Sequence, residues 1–314
     1  MGYENIVTVA SVNFNAEWGN KAGNLERIKG YIQAAADRGA KIVLFPETAL
    51  TGYDVKGDSI EMQVGIAETI PGPASDGLAA LTKSLGLYVV LGMIEKDAED
   101  PALIYNSALV LGPEGVIGSY RKIHPAGKES MWAKKGSEPL MFDTPWGPVG
   151  VGICYDSYCF PELTRHYSAL GSRLYLNPTA VSEIEGWQEF YYTTLKSRVI
   201  ENGTFLVSSN LVGPDLGSLK FPGGSMIIGP SVNMLSTRYY AEPVEQHEEL
   251  LVATLDLSLA DKARKLLTLF NDNPITGLPD WRPDIYVRML EEIKRHKKWG
   301  GKEEAQPEPA LSVH

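Results

Sequence analysis

One of the two cysteines in the 314 residues, Cys154, stands where an apolar run, GPVGVGICYDSYC (147–159), gives way to Tyr155 and Asp156. A thiol at the end of a buried strand, on the turn into a helix, can be presented as a nucleophile while N–H groups of the turn face the same spot. Buried cysteine is more often an inert small hydrophobe, so the reading needs partners. Cys159, inside the turn or the first helical residues, reads as packing. Three charged residues qualify as partners. Glu47 ends the buried run of LFPETALTGY, where ligands of open α/β sheets bind, and burial there raises a carboxyl pKa toward values suited to proton transfer. Lys122 lies in SYRKIHPAGKESMW, in a basic stretch that also reads as a solvated face. Glu129 follows seven residues later, three before Trp132, and suits either a pocket wall or a solvent-facing position. A thiol nucleophile needs a base, and on residue types alone His124 and His166 are open to that role as well.

Those residues must be held by elements, and strand and helix signals alternate along the chain. Residues 5–12 read as a strand, 20–38 as a helix with a stripe at Leu25, Ile28, Ile32, Ala35 and Ala36, and 41–47 as a short buried strand. A helix over 74–86 and a strand over 87–95 follow, then hairpins over 104–124 and 138–154. Beyond Cys154 the pattern predicts a helix over 160–170, a strand over 173–178, a helix over 187–202 and a strand over 204–210. Further strands are expected near 224–229, 232–239 and 249–256, and a late helix over 282–297. Alternation in 116–122 puts Val116, Gly118, Tyr120 and Lys122 on one face and Ile117, Ser119 and Arg121 on the other. Mixed sheets with helices outside fit this order, in an α/β (α+β) layered architecture. No internal repeat or linker is visible, so one domain is expected over 1–297, with a charged, Pro-containing tail over 298–314.

Bulk composition narrows the function classes. Hydrophobic residues make up 44% and charged residues 22%, ordinary for a globular chain. The 29 basic and 39 acidic residues give a net charge of −10, which repels phosphate backbones and argues against nucleic acid. No apolar run reaches the ~20 residues of a membrane span, and MGYENIVTVA lacks a signal segment, so a cytoplasmic protein off the membrane is expected. The opening Met-Gly fails as a myristoylation motif because Ile6 stands where Ser or Thr is required. No C-x-x-C pair or H-E-x-x-H spacing exists, so no metal is expected.

Four segments taken in order resemble the nitrilase superfamily of carbon–nitrogen hydrolases: LFPETALTGY with Glu47, YRKIHP with Lys122, KESMWAKKG with Glu129, and GVGICYDSYCFPE with Cys154. The gaps, 75 residues from Glu47 to Lys122 and 32 on to Cys154, match as well. LNPTA (176–180), KSRVIENGTFLVSSN (196–210), GGSMIIGPS (223–231) and DWRPDIY (280–286) extend the likeness over roughly residues 5–287.

The resemblance implies a four-layer α-β-β-α sandwich of two mixed sheets, paired through helical faces into a homodimer or higher homo-oligomer. It implies Cys154 as nucleophile, Glu47 as general base and then acid, Lys122 as the cation facing the tetrahedral intermediate, and Glu129 as a second glutamate that positions substrate and lysine. Tyr53, Trp132, Tyr155 and Asn177 fall where substrate contacts are expected. No cofactor is required. Cys154-Tyr155-Asp156 resembles amidase-like and omega-amidase-like members, whereas Glu129-Ser130-Met131-Trp132 followed by Gly136 resembles nitrile-cleaving ones. The cysteine neighbourhood carries more weight because it touches the reacting carbon, so the expected substrate is a small amide. The alternatives are an N-carbamoyl amino acid gripped by Arg165, Lys196 or Arg198, then a nitrile, then acyl transfer to an amine.

Overall fold

The alternation of β-branched runs and helical stripes resolves into two sheets and their covering helices in the computed structural model, which describes residues 2–53, 60–215 and 219–296. The strands are β1 (Ile6–Asn13), β2 (Ile42–Leu44), β3 (Tyr88–Lys96), β4 (Ile104–Gly112), β5 (Gly115–Arg121), β6 (Leu140–Thr144), β7 (Gly147–Val151), β8 (Leu174–Thr179), β9 (Phe205–Asn210), β10 (Val212–Asp215), β11 (Leu219–Pro230), β12 (Thr237–Glu245) and β13 (Glu249–Asp256). The helices are α1 (Lys21–Asp37), α2 (Ile60–Ile66), α3 (Pro73–Leu85), α4 (Tyr155–Tyr158), α5 (Glu162–Ala169), α6 (Trp187–Asn202), α7 (Ser258–Leu266) and α8 (Pro283–Arg295). By its contacts the chain divides into Met1–Leu266, which holds both sheets, and Leu267–His314.

The first sheet runs β13-β1-β2-β3-β4-β5, and the second β10-β11-β9-β8-β7-β6 with β12 also on β11. Both are mixed. β1, β2 and β3 are parallel, as are β7, β8 and β9, while the remaining pairings are antiparallel. The period-2 alternation sorts each strand of the first sheet into two cores. Val7, Val9, Leu44, Val90 and Val110 pack with Val149, Val151 and Leu176 of the second sheet. Their neighbours Ala10, Val43, Val89 and Leu109 pack instead with Ile28 and Ile32 of α1 and Leu78 of α3. Tyr191, Leu195 and Val199 of α6 belong to the core of the second sheet. The result is the expected α-β-β-α layering, with side chains of two sheets meeting along an inner seam. Hydrogen bonds cross that seam as well: Ser11 Oγ donates to the Ser208 carbonyl at 2.8 Å and Ser209 Oγ to that of Val12 at 2.5 Å.

Local signals explain the helix ends. The Asn20 side chain caps α1 by accepting the Gly23 N–H at 3.0 Å, and α3 starts with Pro73 and stops at Gly86 in the left-handed region. Two expectations are corrected, and one short helix is added. The helix read over 160–170 is α5, which starts after Pro161, and α4 precedes it as a four-residue helix that the sequence pattern does not show. The strand read over 232–239 begins only at Thr237. Residues 231–236 form a turn in which Asn233 Oδ1 accepts the N–H groups of Leu235 and Ser236 at 3.1 and 3.2 Å. Cys159 is exposed rather than packed. In Leu267–His314, Asp280 accepts bonds from Thr268 and Asn273, and α8 buries none of its residues. The expected tail, 298–314, lies outside the described residues.

Candidate active site

Glu47 stands just past β2, in a turn over residues 47–51 whose next residue, Thr48, has φ 52°. That turn lies directly against β3. The Gly92 N–H donates to the Pro46 carbonyl at 3.2 Å, and its own carbonyl accepts the Leu50 N–H at 3.1 Å. A Cβ on Gly92 would collide with backbone atoms of Pro46, Glu47 and Thr48, so glycine is what lets the turn seat its carboxylate at the seam. The seated side chain is fully buried.

Lys122 follows β5 on the face it shares with Tyr120, and both are buried between the sheets; Arg121, on the opposite face, pairs with Glu95 and Asp97. A 3₁₀ turn, Gly127–Met131, then folds Glu129 back, with the Ala126 N–H held by Glu129 Oε2 at 2.8 Å. Gly136 closes the excursion. Its N–H donates to the Lys122 carbonyl at 2.8 Å, and a Cβ there would strike the Arg121 carbonyl.

The three charges meet. Lys122 Nζ lies 2.6 Å from Glu47 Oε1 and 2.7 Å from Glu129 Oε2. Asn106, fully buried in β4, donates through one Nδ2 to Glu47 Oε1 at 2.7 Å and also to Glu129 Oε1. Two flanking carboxylates dictate that orientation of the amide. Among the described residues, no donor lies within ordinary hydrogen-bond distance of Glu47 Oε2 or Asn106 Oδ1.

From the second sheet, β7 ends at Val151 and Cys154 follows at φ 51°, ψ −107°, directly before α4. Such a backbone costs a non-glycine residue about 1–3 kcal/mol and persists only where its surroundings enforce it. The Cys154 N–H donates to the Pro178 carbonyl at 2.9 Å and to Asn177 Oδ1 at 3.1 Å. Arg198 clamps the far side, its guanidinium donating to the carbonyls of Ser157 and Tyr158 at 2.9 and 3.0 Å.

Electrostatics tie the two halves together. Burial, then the Glu47 charge, push the Cys154 thiol well above its ordinary range, against the pull of Lys122 and of hydrogen bonds to Thr179 and Ala180. Burial also raises Glu47, with Lys122 opposing and Glu129 assisting, and the Cys154 thiol helps to hold it ionised. Burial works to lower the Lys122 ammonium, but Glu129 and Glu47 outweigh it and carry it well above the usual value. Cys154, Glu47 and Lys122 therefore act on one another, with Glu129 bonded to the lysine. This is the constellation that nucleophilic attack on an acyl carbon needs: a thiol, a carboxylate to take its proton and a cation to meet negative charge on oxygen.

The remaining sequence candidates separate. Tyr53 is half-buried, its ring edge-on to Phe221 at 6.0 Å, and burial followed by the Glu129 charge raises its hydroxyl pKa, which places it beside the cluster. Asn177 is fully buried and spends its amide on Cys154 N–H, on Ser157 Oγ at 2.7 Å and on Ser208 Oγ at 2.9 Å. The Tyr155 ring is edge-on to Phe160, leaving its backbone N–H as the group nearest the elbow in sequence. Trp132 packs on a separate small cluster of Ala67, Ile94 and Ile104. His124 stacks flat on Phe160 and bonds Asp156, and His166 lines a surface cavity of about 410 Å³ with it. Arg198 is committed to backbone carbonyls, and Lys196 lies over the Tyr239 ring at 4.9 Å. Sequence reasoning missed Asn106. Its one signal is an amide inside the otherwise apolar strand IYNSALVLG. It also misjudged Asp156, whose carboxylate faces Tyr120, His124 and the Ile153 N–H and not the reacting carbon.

Comparison with known proteins agrees with this geometry. Residues 8–265 match the family model described as Carbon-nitrogen hydrolase. A nitrilase of Pyrococcus abyssi is 33% identical over 261 residues, covering 82% of this chain and 93% of that protein. Omega-amidase NIT2 of Homo sapiens is 30% identical over 277 residues, covering 85% and 92%. Among solved structures, Saccharomyces cerevisiae Nit3, a member of branch 10 of the nitrilase superfamily, superposes with a TM-score of 0.76 at 24% identity, over 89% of this chain and 98% of that one. An amidase from Nesterenkonia sp. gives 0.71 at 24% identity, over 90% and 96%. With the buried Glu-Lys-Glu cluster facing a cysteine elbow, these likenesses make the chain an enzyme of the carbon–nitrogen hydrolase family, within the nitrilase superfamily.

Proposed function

We propose that the protein hydrolyses the C–N bond of a small amide to a carboxylic acid and ammonia or an amine, through a thioester on Cys154. The observation that carries this reading is the buried Glu47–Lys122–Glu129 cluster at the thiol. Cys154 Sγ attacks the carbonyl carbon as its proton passes to Glu47. Burial keeps the proton on the Cys154 sulfur, while Lys122 opposes burial at Glu47 and favours its ionised form, so proton transfer accompanies attack. Lys122 Nζ and the Tyr155 N–H face the developing oxyanion, where one donor is worth about 2.7–4 kcal/mol. Glu47 returns its proton to the departing nitrogen, the C–N bond breaks, and the thioester remains. Water then gives a proton to Glu47 and adds to the thioester. Collapse releases the acid, and the sulfur recovers its proton. Glu129 holds Lys122, and Tyr53 lies against the acyl group. No step needs a cofactor.

The N-carbamoyl alternative loses support, because Lys196 and Arg198, two of the cations read as carboxylate grips, are engaged elsewhere. We further propose a homodimer or higher oligomer, supported by the exposed Phe190 and Ile200 on α6, and a reducing, cytoplasmic setting, which suits two unpaired cysteines. The test is a panel of small amides, N-carbamoyl amino acids and nitriles, scored by ammonia release and by the mass of the Cys154 adduct. An amide that yields both ammonia and an acyl adduct is the expected result. Turnover of nitriles alone, or an adduct elsewhere, overturns the reading.

A further inference from the structure

We propose that Asp156 is the positioning residue of this site, holding the backbone that carries Cys154 at a fixed distance from the backbone that carries Lys122. The inference rests on the roles proposed above for those two residues. Asp156 is fully buried, and its two oxygens collect four donors from two segments that meet across the seam. Oδ2 accepts the Ile153 N–H at 3.2 Å and the Tyr120 hydroxyl at 2.8 Å. Oδ1 accepts the His124 N–H at 2.9 Å and the His124 ring through Nδ1 at 2.7 Å. Ile153 immediately precedes Cys154, while Tyr120 and His124 stand two residues before and two after Lys122. One carboxylate thus grips both sides of the lysine and the near side of the thiol.

The grip on the cysteine side is a closed bracket. The Asp156 N–H donates to the Ile153 carbonyl at 3.0 Å, and the Asp156 side chain takes the Ile153 N–H in return. Between those bonds sits Cys154 with its φ of 51°, a conformation that has to be enforced from outside. On the lysine side, His124 is fixed in plane by stacking on Phe160, with ring centroids 3.6 Å apart. The chemistry of the position is specific, because an ionised carboxylate accepts at about four lone-pair sites and donates at none. An amide of the same size would turn an N–H toward one of the two donor pairs and release that side. Asp156 touches neither substrate nor the reacting atoms; it acts through the two segments it joins.

The experiment compares Asp156→Asn with its parent, both carrying Cys159→Ala so that one thiol remains. Melting curves are followed by kcat and KM on a turned-over amide and by the rate of Cys154 alkylation by iodoacetamide. The folded variant is expected to lose about 10²-fold in kcat, the cost of a misplacement of about 1 Å, with KM within about threefold of the parent. Alkylation slows with it, since Glu47 no longer meets the thiol proton. A folded Asp156→Asn protein with kcat within about threefold of the parent, or one that changes only KM, overturns the proposal. Should that variant not fold, Tyr120→Phe/His124→Ala keeps the bracket and frees the lysine side, and an unchanged kcat there overturns the proposal equally. Alkylation needs no substrate, so the two readings fail separately. Slow alkylation of Asp156→Asn in a protein that cleaves no amide sinks the proposed function alone, and normal alkylation in an active amidase sinks only the positioning role.

Discussion

Burial disfavours charge on both Cys154 and Glu47, and the Lys122 ammonium opposes burial at each of them. Cys154→Ala should abolish turnover with the melting temperature preserved, whereas Cys159→Ala, on an exposed thiol, should leave kcat/KM unchanged in the same assay. The base must be ionised to accept the thiol proton, so activity is present above the pKa of the Glu47 cluster and lost as pH falls through it. Burial raises that pKa, which puts the acid limb of kcat/KM above the ordinary carboxylate range near about 4.3. Removing a donor to the ionised form moves the limb further the same way. Asn106→Ala should therefore shift it upward and lower kcat, a hydrogen bond to a charged group being worth about 1.5–3 kcal/mol. A pH–rate profile of the two proteins checks both statements. Glu47, Lys122 and Cys154 could be picked out of the sequence because each follows a strand inside a recognisable motif, and Glu129, in the middle of a 3₁₀ turn, by its motif alone. Asn106 was not, because its function depends on strand pairings that bring residues 47 and 129 to it.

At the scale of elements, Glu47, Lys122 and Cys154 each follow the end of a strand, Glu129 sits in a 3₁₀ turn, and glycines elsewhere make the room. Gly92→Ala would drive a methyl into the turn that carries Glu47, an overpacking of about 1–3 kcal/mol that the turn relieves by moving. The expected outcome is a lower melting temperature together with a fall in kcat larger than the loss of folded protein explains, read by calorimetry and steady-state kinetics. A variant that is destabilised yet fully active per folded molecule would contradict this account of the turn. Strands and long helices were legible from their 2.0 and 3.6 periods. The short pieces were not, since α2, α4 and the 3₁₀ turn carrying Glu129 span too few residues to show a period. The start of β12 was displaced by the Asn233 turn, whose side-chain bonds overrule the apolar residues Val232, Met234 and Leu235 there.

For the whole molecule, the layered class was readable from the order of elements, but the pairing of β1 with both β2 and β13, which lie far apart in the chain, was not. Phe190 and Ile200 leave apolar surface on the outer layer, and Phe190→Glu/Ile200→Glu should convert an oligomer into monomer by sedimentation. A parent already monomeric at micromolar concentration would refute the proposed assembly. The inner seam has a different consequence. Glu47, Asn106, Lys122 and Glu129 belong to the first sheet and its connections, Cys154 and Asn177 to the second. Neither sheet alone owns a reaction. On the proposed mechanism, acylation by substrate is thus a coincidence detector for the docking of two sheets: a chain with both sheets formed but unjoined would carry every reactive group and form no thioester.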